Sequence, residues 1–243
     1  MLQRVVPGRW APVIVVLSLL ATACGGASSS PPPAAGTAAS ADPLAPLAAD
    51  MIGVVVLGDS LTAGLGVLVE ESFPSWLQTL FVDEGYHEVE IMNAGVSGDT
   101  TAGGLRRIAA LLTPEVRVVV VALGANDALR GLSVDDTRRN LTGIIDTCLD
   151  AGVSVLLTGM EGPTNLGQDY RTSFREVYSG LAASYAGRIR FVPFLLEGVA
   201  GVPALNQADG IHPNPEGAQK IADTIYPTVR DLVDELPVGP ITR

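Results

Sequence analysis

The segment Ile52-Gly53-Val54-Val55-Val56-Leu57-Gly58-Asp59-Ser60-Leu61 joins an apolar run to a serine in a glycine-flanked turn. The run from 52 to 57 is short and rich in Val, which predicts a buried β-strand. A serine directly after such a strand lies where open α/β sheets bind their ligands. We therefore take Ser60 as a candidate nucleophile.

Four more strand-like runs follow, and helical patterns separate them. The strands are predicted at 89–92, 116–123, 153–158 and 189–192, and the helices at 72–85, 100–112, 133–152 and 168–186, with a last helix that begins after Asn214-Pro215 and runs to about 235. Ser72, Thr100 and Ser133 are the candidate N-caps of the first three helices. Apolar strands that alternate with helices are typical of a parallel sheet covered by helices on both faces. We predict an α/β protein with three layers, α/β/α, and a flavodoxin-like five-stranded parallel sheet ordered 2-1-3-4-5.

This topology brings distant loops to one edge of the sheet. The carboxyl ends of strands 1, 2, 3 and 5 precede the candidate site residues Ser60, Gly95, Asn126, Asp209 and His212. Asp209 comes three residues before His212, so its carboxylate can hold Nδ1–H while Nε2 faces the serine. Ser60, His212 and Asp209 are thus the predicted nucleophile, base and orienting acid of an acyl-transfer site. The alternative is that Asp209 caps a turn and His212 is structural.

Two glycine-containing loops are candidates for an oxyanion hole. Gly95 lies in 93–100, where the lack of a side chain lets a backbone N–H approach a developing oxyanion. Asn126 lies in Gly124-Ala125-Asn126-Asp127 and has an amide that can donate to the same oxygen. With Ser60, these residues form the predicted oxyanion hole. Each loop also fits a plain turn. Asp59 is expected to be a structural hydrogen-bonding partner of the serine turn.

The motifs around these residues resemble those of the SGNH, or GDSL, hydrolases. The resemblance covers 51–235 and is strongest to the bacterial thioesterase I/lysophospholipase/arylesterase branch. It implies that Ser60, Gly95, Asn126 and His212 are the four family-defining residues. It also implies cleavage of esters or thioesters without metal or cofactor, and a mobile loop over 127–132 beside an acyl pocket. The Gly-Gly-Asn-Asp string of that branch has Ala125 at its second position here.

We expect a serine esterase that hydrolyses lysophospholipids, acyl-thioesters or aryl esters through an acyl-enzyme on Ser60. Two alternatives are a carbohydrate O-deacetylase of the cell envelope and a non-catalytic envelope-binding lipoprotein, and the intact candidate triad argues against the second. The sequence contains no metal-ligand cluster, no phosphate-binding glycine loop with lysine and no carboxylate pair suited to glycoside cleavage. We expect a monomer.

The first 50 residues have the composition of an export segment. Arg4 and Arg9 precede an apolar stretch over 13–21, and small residues then lead to Cys24. This layout predicts a lipoprotein signal peptide over 1–23 with a lipidated Cys24; an ordinary cleaved signal is the alternative. The Ala-, Ser-, Pro- and Gly-rich stretch up to 50 predicts a disordered linker. A folded domain over 51–237 and a tail over 238–243 complete the chain, which we expect to be exported and anchored to a bacterial membrane on its periplasmic or extracellular face.

Charge and cysteine content exclude some classes of protein. The formal net charge is −11, and removal of 1–23 with its two arginines would make it −13. An acidic chain whose single lysine is Lys220 does not fit a nucleic-acid binder. Cys24 and Cys148 are the only cysteines, so no disulfide framework is available, and Cys148 fits a buried position in a helix.

Overall fold

The computed structural model describes residues 51–237. The predicted signal peptide, the predicted lipidation site Cys24, the predicted linker and the C-terminal tail lie outside these residues. Within the part that is described, no helix has the length and apolar character needed to cross a membrane.

Five parallel strands form one sheet in the predicted order β2-β1-β3-β4-β5. They are β1 (Ile52–Gly58), β2 (Val89–Gly95), β3 (Val116–Ala122), β4 (Ser154–Thr158) and β5 (Arg190–Val192). Gly58, the last residue of β1, is in register with Gly95 of β2 and Ala122 of β3. Because these three strands end at the same level, the loops that follow them start side by side.

Seven helices accompany the sheet in the described range. They are α1 (Ser60–Ala63), α2 (Phe73–Asp83), α3 (Thr101–Leu111), α4 (Ala125–Leu129), α5 (Val134–Asp150), α6 (Gln168–Ser184) and α7 (Pro215–Asp234). The five long helices confirm the sequence-based prediction. The short helices α1 and α4 were not predicted, and each follows the end of a central strand.

The handedness of the crossovers explains the three layers. The chain passes from β1 to the edge strand β2 through α2, and then returns across β1 to β3 through α3. Right-handed connections that run in opposite directions place their helices on opposite faces of a sheet. Accordingly, α2 packs against α7, whereas α3 packs against α5 and α5 against α6. The predicted α/β/α architecture is confirmed.

The central strands are buried from both faces. Every residue from Val54 to Leu57 and from Val118 to Val121 is fully buried, as their continuous apolar runs predict. Cys148 of α5 is buried in the same core, and burial raises the pKa of its thiol to about 12. It is therefore a small apolar core residue, as expected from its helical pattern.

Of the three predicted helix caps, Ser133 makes the expected hydrogen bond, and Asn214 also caps its helix. Ser133 accepts from the N–H of Asp136 at 3.3 Å, and Asn214 accepts from the N–H of Gly217 at 3.0 Å. Ser72 and Thr100 begin their helices without a capping bond from their side chains.

Helix α3 is capped from a distant part of the chain. The carboxylate of Asp127 accepts from the N–H of Thr101 at 2.9 Å, across a separation of 26 residues. This bond attaches the start of α3 to α4 and therefore fixes α4 at the carboxyl edge of the sheet.

Candidate active site

The serine predicted as the nucleophile is the first residue of α1. Asp59 accepts the N–H of Leu61 at 3.0 Å, and Gly64 ends the helix after one turn with φ of +74°. The first N–H groups of a helix have no intrahelical partner. The N–H of Ser60 makes no hydrogen bond to any residue between 51 and 237 and is available to a ligand.

Ser60, His212 and Asp209 form a continuous hydrogen-bonded chain. The hydroxyl of Ser60 lies 2.9 Å from His212 Nε2, and His212 Nδ1 lies 2.6 Å from Asp209 Oδ2. The other carboxylate oxygen accepts the N–H groups of Ile211 at 2.9 Å and His212 at 3.0 Å. With Nδ1–H donated to the carboxylate, Nε2 is free to accept the proton of Ser60.

The electrostatics of Asp209 suit an orienting acid. Its hydrogen bond from His212, followed by those from the two backbone N–H groups, holds the pKa of Asp209 well below its usual range. The carboxylate is therefore ionised at neutral pH and can stabilise an imidazolium that forms on His212.

The His212 loop is attached to the serine loop by Gln207. Its side-chain Nε2 donates to the carbonyls of Leu65 at 2.7 Å and Pro213 at 2.9 Å, and its backbone N–H donates to His212 O at 2.8 Å. The sequence analysis did not find this residue, because a glutamine in a polar loop has no distinguishing local pattern.

The amide of Asn126 also lies at the serine turn. Asn126 Nδ2 donates to Asp59 Oδ2 at 3.2 Å, which leaves the second N–H of that amide available. Asp59 is fully buried, and this desolvation raises the pKa of its carboxyl to about 6. The expectation that Asp59 is a hydrogen-bonding partner of the turn is met, and its link to Asn126 is an addition.

The structure contradicts the prediction that the N–H of Gly95 faces the oxyanion. This N–H donates to Asn93 Oδ1 at 3.0 Å. A Cβ at residue 95 would lie 2.2 Å from the backbone nitrogen of Ala63, so the glycine is needed for the close packing of α1 on β2. Gly95 therefore has a packing role.

Gly98 has a free N–H in the same loop. It lies in a turn closed by a 2.9 Å bond from the N–H of Asp99 to Val96 O, and its φ of +80° favours glycine. Its N–H bonds to none of the residues that the structure describes. It is the better candidate for a backbone donor after β2.

Comparisons with known proteins assign the chain to a family. A match to the GDSL-like lipase/acylhydrolase family spans residues 56–220. Esterase TesA of Pseudomonas aeruginosa is 40% identical over 181 residues, which are 74% of this chain and 89% of that protein. The chain belongs to the GDSL-like lipase/acylhydrolase family. It is a serine esterase of that family, as the resemblance in its sequence implied.

Other members of the family support this assignment. Thioesterase 1/protease 1/lysophospholipase L1 of Escherichia coli K12 is 35% identical over 182 residues, which are 74% of this chain and 85% of that protein. A crystal structure of TesA aligns with a TM-score of 0.70 and 39% identity, covering 74% of this chain and 99% of the TesA chain. The SGNH hydrolase fold is therefore confirmed.

Asp127 is a buried carboxylate that the sequence analysis did not assign to the site. Its Oδ1 accepts the hydroxyl of Thr101 at 2.5 Å and that of Thr137 at 3.4 Å. These bonds, together with the cap on α3, hold the residue next to Asn126 in place. The Asn-Asp pair was visible in the sequence, but the two threonines come from other helices.

The segment 127–132, predicted to be a mobile loop, forms the end of α4 and a turn. Arg130 donates from Nη2 to Gly98 O at 2.7 Å, and Tyr170 donates to Leu132 O at 3.0 Å. The segment is thus bonded to the Gly98 turn on one side and to α6 on the other. Its mobility stays a prediction.

Proposed function

We propose that this esterase forms an acyl-enzyme on Ser60. Ser60 Oγ attacks the carbonyl carbon while His212 Nε2 takes its proton. The ester or thioester bond then breaks, and His212 returns the proton to the leaving alcohol or thiol. Water deprotonated by His212 then attacks the acyl carbonyl carbon, and the bond between Ser60 Oγ and the acyl group breaks, which releases the carboxylic acid while His212 returns the proton to Ser60 Oγ. The observation that carries this proposal is the 2.9 Å contact between Ser60 and His212, with Asp209 behind the ring.

Three donors stabilise the oxyanion in this proposal. They are the free N–H of Ser60, the second N–H of the Asn126 amide and the N–H of Gly98. Donors that are fixed before the reaction stabilise developing charge without reorganisation, and each contributes roughly 10²–10³ in turnover. Support comes from the common level at which β1, β2 and β3 end, since each of the three donors follows one of these strands.

The substrates we propose are esters with an apolar acyl or aryl group, such as lysophospholipids, acyl-thioesters and aryl esters. Apart from Val82, the large apolar side chains that are exposed in the described range all lie in segments between the end of a strand and the next long helix. They are Leu65, Leu68, Val69, Val96, Leu129, Leu132, Leu166, Val202 and Ile211. An apolar rim at the edge of the sheet that carries the triad favours an acyl chain over a sugar.

We further propose that the protein is exported and anchored through Cys24. The support is the sequence: a basic start, a short apolar stretch and small residues that end at Cys24. A linker of small and proline residues would then hold the esterase domain away from the membrane.

A panel of esters tests the enzymatic proposal. Purified protein is assayed on p-nitrophenyl esters from acetyl to palmitoyl, on lysophosphatidylcholine and on an acetylated xylan, beside Ser60→Ala. We expect hydrolysis of the acyl esters, a preference for chains longer than acetyl, and no hydrolysis by a folded Ser60→Ala protein.

Two results would contradict the proposal. Near-normal hydrolysis by Ser60→Ala would show that Ser60 is not the nucleophile. Activity confined to acetylated xylan would show that the substrates are carbohydrate acetyl esters. Trapping of a labelled acyl group on Ser60, located by peptide mass spectrometry, gives the direct measurement.

A further inference from the structure

Arg107 of α3 binds three separate acceptors with one guanidinium group. Its Nε donates to Asp99 Oδ2 at 2.8 Å, Nη1 to Ala94 O at 2.7 Å and Nη2 to Gly58 O at 2.8 Å. The side chain is 23% exposed, and that of Asp99 is 12% exposed. All three nitrogens of the group are therefore used within a largely buried network.

Two of the acceptors are carbonyls at the strand ends that precede the proposed backbone donors, and the third is in the loop of Gly98. Gly58 ends β1 two residues before Ser60, and its carbonyl also accepts the N–H of Val96 at 3.1 Å. Ala94 is the last residue but one of β2, and Asp99 follows Gly98 directly. Arg107 thus connects the loop of Ser60 to the loop of Gly98.

We propose that Arg107 is a positioning residue that sets the spacing between the N–H of Ser60 and the N–H of Gly98. It acts through these loops and does not touch the substrate, and the inference rests on the function proposed above. Reacting groups must be held within about 0.5 Å of their productive geometry. A planar guanidinium has its donors at fixed relative positions, whereas a lysine ammonium is a single point on a flexible stem.

A second observation indicates that α3 is shaped around this network. A Cβ at Gly103 would lie 1.5 Å from Asp99 Oδ1. The helix therefore has a glycine where any side chain would displace the carboxylate from Arg107. Since glycine inside a helix costs about 1 kcal/mol relative to alanine, the position of Asp99 is maintained at the expense of helix stability.

Arg107→Lys tests the proposal, and Arg106→Lys is its matched control. Arg106 is the preceding residue of α3, is exposed, and makes no ion pair or hydrogen bond within the described residues. We expect Arg107→Lys to lower kcat about 10- to 100-fold with KM nearly unchanged. Arg106→Lys should keep the wild-type kcat, KM and Tm.

Inhibitor binding separates positioning from general damage. A trifluoromethyl ketone forms a tetrahedral adduct on a catalytic serine and requires the oxyanion donors, whereas the corresponding methyl ketone binds as a ground-state analogue. Arg107→Lys should weaken the binding of the trifluoromethyl ketone by the same factor as it lowers kcat/KM, and it should leave the binding of the methyl ketone unchanged. A merely structural defect would weaken the binding of both ketones or of neither.

A second variant tests the inference in case Arg107→Lys does not fold. Removing the guanidinium alone leaves the largely buried Asp99 carboxylate without its ion-pair partner, which is destabilising. Arg107→Met combined with Asp99→Asn removes both charges and should show the same selective loss in a folded protein. Wild-type kcat in either folded variant, or equal losses for both ketones, would overturn the inference. A wild-type protein without esterase activity would overturn the proposed function as well, so the two failures are distinguishable.

Discussion

Asn126 donates from Nδ2 to Asp59 Oδ2 over 3.2 Å and thereby joins the residue before the nucleophile to a residue 67 positions further along the chain. The same Asp59 carboxylate accepts the N–H of Leu61 at 3.0 Å from the turn that presents Ser60. One N–H of the Asn126 amide is thus held by Asp59, and the other is the proposed oxyanion donor. Asp59 therefore determines which way the amide faces.

Asp59→Asn should lower kcat by roughly 10²–10³, the usual cost of one oxyanion donor. An asparagine at 59 presents an NH₂ group to the NH₂ group of Asn126, so the Asn126 amide would flip and place its oxygen where the donor was. Asn126→Ala should lose a similar factor with little change in KM, and the double variant should be no worse than either single one. Steady-state kinetics on one ester measures all three, and a wild-type kcat for Asp59→Asn would refute the coupling.

The stability of the protein should depend on the ionisation of Asp59. Burial raises its pKa from 3.8 to about 6, so the native state binds this proton more tightly than the unfolded chain does. Protonated Asp59 therefore stabilises the folded protein. This stabilisation is fully present below the unfolded-state pKa of 3.8 and is lost as the pH rises through the folded-state pKa of about 6. The free energy of unfolding of the wild type minus that of Asp59→Asn should fall by on the order of 3 kcal/mol over this window. Urea unfolding across that pH range measures the difference; a value that does not change with pH would contradict the assignment.

Asp209 and His212 should act as one unit. Asp209→Asn is expected to reduce kcat by roughly 10⁴, because the ring would lose the acceptor that holds its tautomer. His212→Ala should cost at least as much, and the double variant should match His212→Ala alone. Multiplicative losses in the double variant would show that the two residues work independently.

Gly98 and Gly95 should differ in what their N–H groups do. Replacing the residue-98 amide by an ester, through incorporation of glycolic acid, removes one N–H and should lower kcat by roughly 10²–10³. The same exchange at residue 95 removes the bond to Asn93 and makes the Ala94 carbonyl a weaker acceptor for Arg107, so it should cost about 1 kcal/mol of stability and lower kcat much less than the exchange at residue 98. A large loss of kcat for the exchange at residue 95, with little loss for the exchange at residue 98, would identify the N–H of Gly95 as the oxyanion donor.

Cys24→Ser should abolish membrane attachment. Stable anchoring by acyl chains requires two or more of them, and Cys24 is the proposed acceptor. Labelled fatty acid should enter the wild type but not Cys24→Ser, while a chain that starts at Met51 should be soluble and active. Absence of label in the wild type, with cleavage at another residue, would indicate an ordinary secreted esterase.

The strands, their order and the candidate triad could all be predicted from the sequence. Continuous apolar runs such as that of β1 have few interpretations, and right-handed crossovers leave few topologies for five of them. With only two histidines in the chain, the one three residues after Asp209 was a clear choice. Ser133 was recognised as a cap because capping depends on groups three residues apart.

Only the tertiary structure decided which N–H groups are free to meet a substrate. Gly95 and Gly98 are equivalent choices in the sequence, but the Asn93 side chain and the packing of α1 use the first of them. Arg107 likewise binds carbonyls 13 and 49 residues away. A local pattern specifies the backbone through neighbouring residues, whereas the occupancy of a donor depends on side chains that folding brings from distant strands and helices.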